Sequence, residues 1–322
     1  MKIETLKIGN ITLSSNIILA PMAGITDLPF RVMAKAGGAG LGCTEMVSAK
    51  ALAYVDKKTR ELMTIDAGER PVSIQIFGAD IDSMTTAAKI VEQSGADILD
   101  INLGCPVRKI AKSGAGAKLT SNEKLTAQIL EAVVKAVKIP VTLKTRLGPE
   151  PEQNTAARIL KIAYECGIKM AALHARYTIN GHSGAPDINA FKGACFDSKI
   201  PIIANGGIDF SNAGDFLSAD NCVGLMIGRG AIGNYSIFSR LQKFLDTGVI
   251  NQEPPLEQKM SWLVEHARKA NAYYANGRGL IIMRKTLPYY FKGLPNCHKI
   301  IGELNQVSTI EEFEKAVGEY LG

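Results

Sequence analysis

The side chains of this 322-residue chain that could do chemistry come in pairs two residues apart, at the ends of short apolar runs. Asp100 and Asn102 close one such run, Lys144 and Arg146 a second, and His174 and Arg176 follow a third. On an extended strand a spacing of two puts both members of a pair on one face. Cys105, in Leu103-Gly104-Cys105-Pro106, lies just past the Asn102 run, where a thiol can meet a substrate; an inert buried thiol is the bland alternative. Gln75 sits inside the apolar run 72–77. A buried amide must find partners, and its donors and acceptor match the edge of a flat heterocycle; a satisfied core glutamine is the other reading. Two cations ending an apolar run need an anion or charge-stabilising work, unless Lys144 simply pairs with Asp100. His174 and Arg176 suit a phosphate or a negative ring oxygen.

Strands must position these groups. Apolar runs at 17–20, 40–44, 72–77, 98–102, 141–145, 170–174, 201–204 and 223–227 give eight candidates. Most precede helical patterns, such as 81–93, 122–137, 155–166 and 209–217. Regular strand–helix alternation predicts parallel pairing, and eight units in about 235 residues match a TIM (β/α)8 barrel. A doubly wound sheet is the competing arrangement. In a barrel the active site lies at the carboxyl ends of the strands, where every pair above falls. Asn205-Gly206-Gly207 after strand seven and Gly228-Arg229-Gly230 after strand eight stand where such barrels hold phosphate on backbone N–H groups. Pro21-Met22-Ala23-Gly24 after strand one is a small, stiff turn that lets backbone approach a flat ligand.

Gly248 and residues 251–255 read as a linker, dividing a barrel over 1–247 from a small all-helical domain over 248–322. Trp262, Leu263, His266, Ala267 and Ala270 share one helical stripe. The composition, 46% hydrophobic and 21% charged, excludes global disorder. No apolar stretch is long enough to span a membrane, and the first ten residues lack a signal-peptide core, so a cytoplasmic, monomeric protein is expected. The six cysteines form no CxxC pair, which argues against a zinc site or a disulfide framework.

A phosphate cradle beside a pore with an amide, an ammonium and a thiol suits flavin mononucleotide. The chain then resembles the tRNA-dihydrouridine synthases, most closely the bacterial B-type branch. The resemblance rests on APMAGITDLPFR, GCTEMVSAKAL, SIQIFG, DINLGCPVRKI, VTLKTRLG, HARYTINGHSG, PIIANGGI and GLMIGRGAIGN, in that order, with RKTLPYYFKGLPN in the tail. It implies FMN as cofactor, NADPH as reductant and tRNA as partner. By resemblance Pro21, Met22, Ala23, Gln75, Lys144, His174, Asn205, Gly206, Gly207, Gly228 and Arg229 hold the flavin. Asn102, Lys109, Arg146, Arg176, Arg284 and Lys285 face the substrate, and Cys105 is the proton donor. Hydride would pass from flavin N5 to C6 of a uracil, and Cys105 would protonate C5. Three departures stand out: Gly207 where the family usually has Asp, Asn180 and His182 where glutamine and tyrosine are common, and Thr286 ending the usual RKH.

A uracil in folded RNA must be extruded to reach a flavin, which needs a grip on the backbone. Residues 259–299 hold eight basic side chains and one acidic one, Glu265, interleaved with Tyr273, Tyr274, Tyr289, Tyr290 and Phe291. Such a surface can bind phosphates and stack on bases; a solvated helical face with core tyrosines is the alternative. Two rival functions are an FMN oxidoreductase of a free pyrimidine or other small molecule, similar to dihydroorotate dehydrogenases, and an RNA-binding protein with a vestigial barrel.

Overall fold

The computed structural model describes residues 5–54, 56–275 and 277–322. Eight parallel strands form a ring: β1 (Ile17–Leu19), β2 (Gly42–Cys43), β3 (Val72–Phe77), β4 (Ile98–Leu103), β5 (Val141–Arg146), β6 (Ala171–His174), β7 (Ile202–Asn205) and β8 (Cys222–Ile227). From β2 to β8 each strand pairs with the next in sequence, and β8 returns to β1 through Leu225–Ile17, Met226–Ile18 and Ile227–Leu19. The last gap carries two backbone bonds, Leu19 N–H to Leu41 O and Gly40 N–H to Ile17 O, both 2.9 Å. The eighth strand returning to the first makes this a (β/α)8 barrel and rules out the doubly wound sheet.

Side-chain alternation splits the strand residues between two cores. Ile18, Ile98, Ala172, Ile203 and Met226 face inward and pack with Leu6, Ile8 and Leu13. Ile17, Leu19, Ile74, Ile76, Leu99, Ile101, Leu143 and Leu173 face outward into the helical layer. Leu6, Ile8 and Leu13 come from a hairpin, Lys7–Ile8 against Ile11–Thr12, that plugs the amino end of the barrel. Two-residue strands are too short to show alternation, so no sequence pattern announced it. Gly9 turns it with φ +60°, and a Cβ there would come within 2.8 Å of Pro140 Cγ.

Outer helices start where short polar caps stand: Asp80 accepts from Ser83 N–H (2.8 Å) to open Ile81–Gln93, and Asn122 from Leu125 N–H (3.1 Å) to open Glu123–Ala136. The helix expected over 209–217 begins only at Ala213. Asp209 Oδ1 instead accepts from Ser211 N–H and Oγ, and Asn212 Oδ1 from Asp209 N–H, so these side chains hold a turn.

Helix Ile237–Thr247 ends at Gly248 with φ +74°, and after residues 251–255 helix Leu256–Tyr273 begins. Further helices at Arg278–Met283, Leu287–Tyr290, Cys297–Leu304 and Ile310–Leu321 complete the tail. The tail shares the outer apolar core of the barrel. Leu263, His266, Ala267 and Ala270 are buried, while Trp262 packs edge-on against Tyr235. Tyr235 O–H, His266 Nδ1 and Tyr290 O–H form a buried triangle of 2.9–3.1 Å contacts under Phe30. Tyr274 O–H donates to Asp27 Oδ2 (2.9 Å), and Asp27 Oδ1 caps helix Leu28–Ala36.

Burial lowers the His266 pKa to about 3 and raises that of Asp27 to about 6. The signs are opposite. Neutral His266 contributes stability above about pH 6.5 that is lost as pH falls towards 3. Asp27 binds a proton more tightly when folded, so it contributes at low pH what is lost as pH rises towards 6. Between about pH 4 and 6 the two slopes oppose each other. The variant His266→Gln should therefore lose stability relative to the parent as pH rises from 4 to 6, by about 1.4 kcal/mol per unit. Urea unfolding across that range measures it.

Candidate active site

Register levels the polar residues at the carboxyl ends of the strands. Gln75 pairs with Asp100, Asn102 with Lys144, Arg146 with His174 and His174 with Asn205. All share the inward parity of the plugged core, so Gln75, Asp100, Asn102, Lys144, Arg146, His174 and Asn205 crown it, each buried.

A chain of hydrogen bonds links three strands to the thiol. Thr142 Oγ donates to Asp100 Oδ1 (2.6 Å) and Gln75 Nε2 to Asp100 Oδ2 (2.6 Å). Asn102 Nδ2 donates to Gln75 Oε1 (2.8 Å), and Asn102 Oδ1 accepts from Gly104 N–H (3.1 Å) and Cys105 N–H (2.9 Å). Cys105 is thus tied to Gln75 through one side chain. Its half-buried thiol borders a cleft of about 170 Å³ with Pro106, Lys118, Ser121, Gln153 and Thr178. That is near the size of a cavity that takes one six-membered ring. Burial raises the Cys105 pKa, against smaller opposing effects of the Val107 backbone, Arg146 and Lys144, so the thiol stays protonated at neutral pH.

Lys144 does not pair with Asp100. Among the described residues no carboxylate oxygen comes within 4.0 Å of its ammonium and no hydrogen bond reaches it. Burial, and then Arg146, lower its pKa to about 7, with Asp100 opposing. Burial also holds His174 far below its usual range, aided by Lys144, Arg146 and Arg176, and lowers His182 to about 4. The two imidazoles stack at 6.1 Å.

Three arginines from three strand ends grip one loop. Arg146 donates to Gly104 O (2.7 Å), Gly181 O (2.7 Å) and Tyr177 O (3.4 Å). Arg176 donates twice to Gly184 O and lies 3.1 Å from His174 Nε2, and Arg229 donates to His182 O (2.8 Å). Gly206 and Gly207 have φ of +117° and +66°; a Cβ on them would meet His174 Cδ2 at 2.6 Å and Arg176 Nη2 at 3.0 Å. Asn205 Nδ2 donates to Met226 O, fixing β7 to β8 (2.8 Å). Pro21 and Met22 are half-buried and Ala23 is exposed on the β1 turn, and Gly228 is half-buried beside Met22. The N–H of Gly24 donates to Glu45, a partner the sequence did not single out. Thr142 and Gly104 were missed too; Thr142 shares Lys144's face, and that spacing was the available signal.

Lys109 is exposed on the short helix Arg108–Ala111 after the Cys105 turn. Arg284 and Lys285 are exposed in the tail, and Lys285 reaches back over the β1 turn, 3.0 Å from where a Gly24 Cβ would stand. The basic tail is less free than its composition implies. Lys259, Arg268, Lys269 and Lys299 pair with Glu253, Glu314, Glu265 and Glu303, three of which lie outside residues 259–299. Arg278, Arg284, Lys285 and Lys292 form no ion pair among the described residues. The aromatics are mostly structural: Tyr290 and Phe291 are core, Tyr274 serves Asp27, Tyr273 bonds Glu61 O (3.3 Å), and Tyr289 stays exposed.

A closed parallel barrel with polar side chains convergent on its carboxyl rim is the architecture of a TIM-barrel enzyme. The chain belongs to the dihydrouridine synthase family, whose model matches residues 18–321. It is 39% identical over 302 residues to a probable tRNA-dihydrouridine synthase of Rickettsia bellii, covering 93% of each chain. It is 40% identical to tRNA-dihydrouridine synthase B of Pectobacterium carotovorum, covering 88% of this chain and 89% of that one. Among solved structures, the old yellow enzyme from Trypanosoma cruzi shares the fold, with a TM-score of 0.56 at 13% identity over 84% of this chain and 98% of that one.

Replacing Arg146 by Ala strands the Gly104 and Gly181 carbonyls, at about 1–3 kcal/mol for each buried group left unpaired. The thermal midpoint should fall by several degrees, and limited proteolysis should open the 177–184 loop. Unaltered cleavage would show that the loop holds without this arginine.

Proposed function

We propose that the chain is an FMN-dependent tRNA-dihydrouridine synthase that reduces uridines in tRNA with NADPH. The observation that carries the proposal is Lys144: a buried ammonium without a carboxylate partner among the described residues, two strands from Gln75 with Asn102 between them, and beside the Cys105 turn. A site that depresses the pKa of its own lysine to about 7 favours an anion there. FMN suits it. Gln75 and Lys144 would meet the ring, the Pro21–Ala23 turn would lie along it, and His174, Asn205, Gly206, Gly207, Gly228 and Arg229 would hold the phosphate end. Gly206 and Gly207 bring bare backbone against His174 and Arg176 at that end. The chemistry FMN supplies is two-electron: hydride gained from NADPH and given to C6 of a uracil.

The chain's own groups do the rest. Asn102 fastens the Cys105 turn, Arg146 ties that turn to the loop 177–184, and the Cys105 thiol holds the proton that C5 requires. Residues 1–247 form the catalytic part and 248–322 the tRNA grip, with Arg278, Arg284, Lys285 and Lys292 as tail cations that form no ion pair among the described residues. Arg284 and Lys285, with Lys109 and Arg176 at the rim, would contact the RNA.

Purified protein should be yellow. Cys105→Ala should keep the flavin and still oxidise NADPH, while tRNA reduction falls about 10²–10⁴-fold, the usual loss of general acid catalysis. With a bound flavin anion drawing the Lys144 pKa back up from about 7, wild-type rates should hold through neutral pH and decline as pH passes the raised thiol pKa. Lys285→Ala should weaken tRNA binding and reduce the slope of log affinity against log salt by about one. A salt-independent affinity would favour a free pyrimidine as substrate instead.

A further inference from the structure

The hydrogen-bond chain from Asp100 to Cys105 has a direction. At one end the Gly104 and Cys105 N–H groups can only donate, so Asn102 must turn Oδ1 to them and Nδ2 to Gln75. At the other end stands the Asp100 carboxyl. Burial raises its pKa, while Thr142, Gln75 and Lys144 favour the charged form. Its two oxygens are taken separately by donors, Thr142 Oγ and Gln75 Nε2, both at 2.6 Å, the pattern of an acceptor-only carboxylate. Two amides lie between, head to tail, each with one permitted orientation. Every member is buried, with relative exposures of 1% for Gln75, 6% for Asp100 and 7% for Asn102, so water cannot replace a wrongly turned partner.

From this arrangement we infer that Asp100 is a positioning residue: its acceptor-only carboxylate fixes the amide polarity of Gln75, and the same chain, closed by Asn102, holds the turn that carries Cys105. The inference deepens the reading above, on which Gln75 meets the flavin ring and Cys105 gives the proton. Gln75 has one N–H and one lone pair left over, and the chain decides which of them faces the ring. Asp100 need not touch ring or uracil to do this.

Moving the charge along the chain tests it. Asn102→Asp puts an acceptor-only group at both ends, and no orientation of Gln75 satisfies both. The midpoint of thermal unfolding should fall by roughly 4 °C or more. The rate of Cys105 alkylation by iodoacetamide, mapped by peptide mass spectrometry, should change at least about threefold. Adding Asp100→Asn restores a donor at position 100, and the chain closes again with Gln75 reversed. Unfolding midpoint and Cys105 alkylation should both return to near the parent values. FMN, followed by flavin fluorescence, should still bind at least about tenfold more weakly, because Gln75 now shows the ring its opposite edge. Asp100→Asn alone leaves only the Asn102 end to orient Gln75, since an amide at position 100 can donate or accept, so its flavin affinity should fall between those of the parent and the double variant.

A double variant as impaired as Asn102→Asp, or an Asn102→Asp variant indistinguishable from the parent, overturns the inference. Failure of the functional reading looks different: a parent protein that binds no flavin or forms no dihydrouridine sinks that reading, while the unfolding and alkylation results still decide the role of Asp100 in holding the turn.

Discussion

Lys144 occupies an inward position on β5, at the level of Asn102, with Arg146 two residues on and His174 and Arg176 from the next strand beside it. Gathering such charge in a buried place costs several kcal/mol per ion unless an opposite charge or a loss of protons relieves it. This barrel does both in part. Two imidazoles are held neutral, Lys144 sits at its own titration point, and the guanidiniums of Arg146, Arg176 and Arg229 lean on carbonyl dipoles of one loop. Much of the rim's architecture follows: glycines where the imidazole and guanidinium need room, a loop rich in inward carbonyls, and Asp100 one inward position below Lys144 as a counter-charge at a distance.

The same loop ties the rim together. Arg146 touches both the Gly104 carbonyl and residues 177–181, so the turn carrying the thiol and the loop after β6 move as one body. The tail joins that body through Lys285 over the β1 turn and through the Tyr274–Asp27 bond. Catalytic barrel and helical tail share one apolar layer, with the Tyr235–His266–Tyr290 triangle in the seam. A displacement of the tail therefore bears directly on the rim.

Much of this was legible in the sequence because period-two alternation is a strong signal. Runs such as 72–77 and 141–145 gave strand limits to within a residue, and the spacing of Lys144 to Arg146 and Asp100 to Asn102 gave the inward face. Direction along a chain of hydrogen bonds was not legible. The sequence offered Asp100 as an ion-pair partner for Lys144, whereas the structure gives both its oxygens to Thr142 and Gln75. The tail is less legible for a related reason: charges counted within 259–299 ignore glutamates at 253, 303 and 314 that folding brings alongside, and of the interleaved tyrosines Tyr290 is core while Tyr273 and Tyr274 bond to Glu61 and Asp27. Pairing between distant segments leaves no local trace.

The hairpin at the amino end has a consequence for traffic. With Leu6, Ile8 and Leu13 stoppering the floor of the barrel, the vessel has a single opening. Whatever reaches the crown of polar groups enters and departs by the same door, at the carboxyl end of the strands.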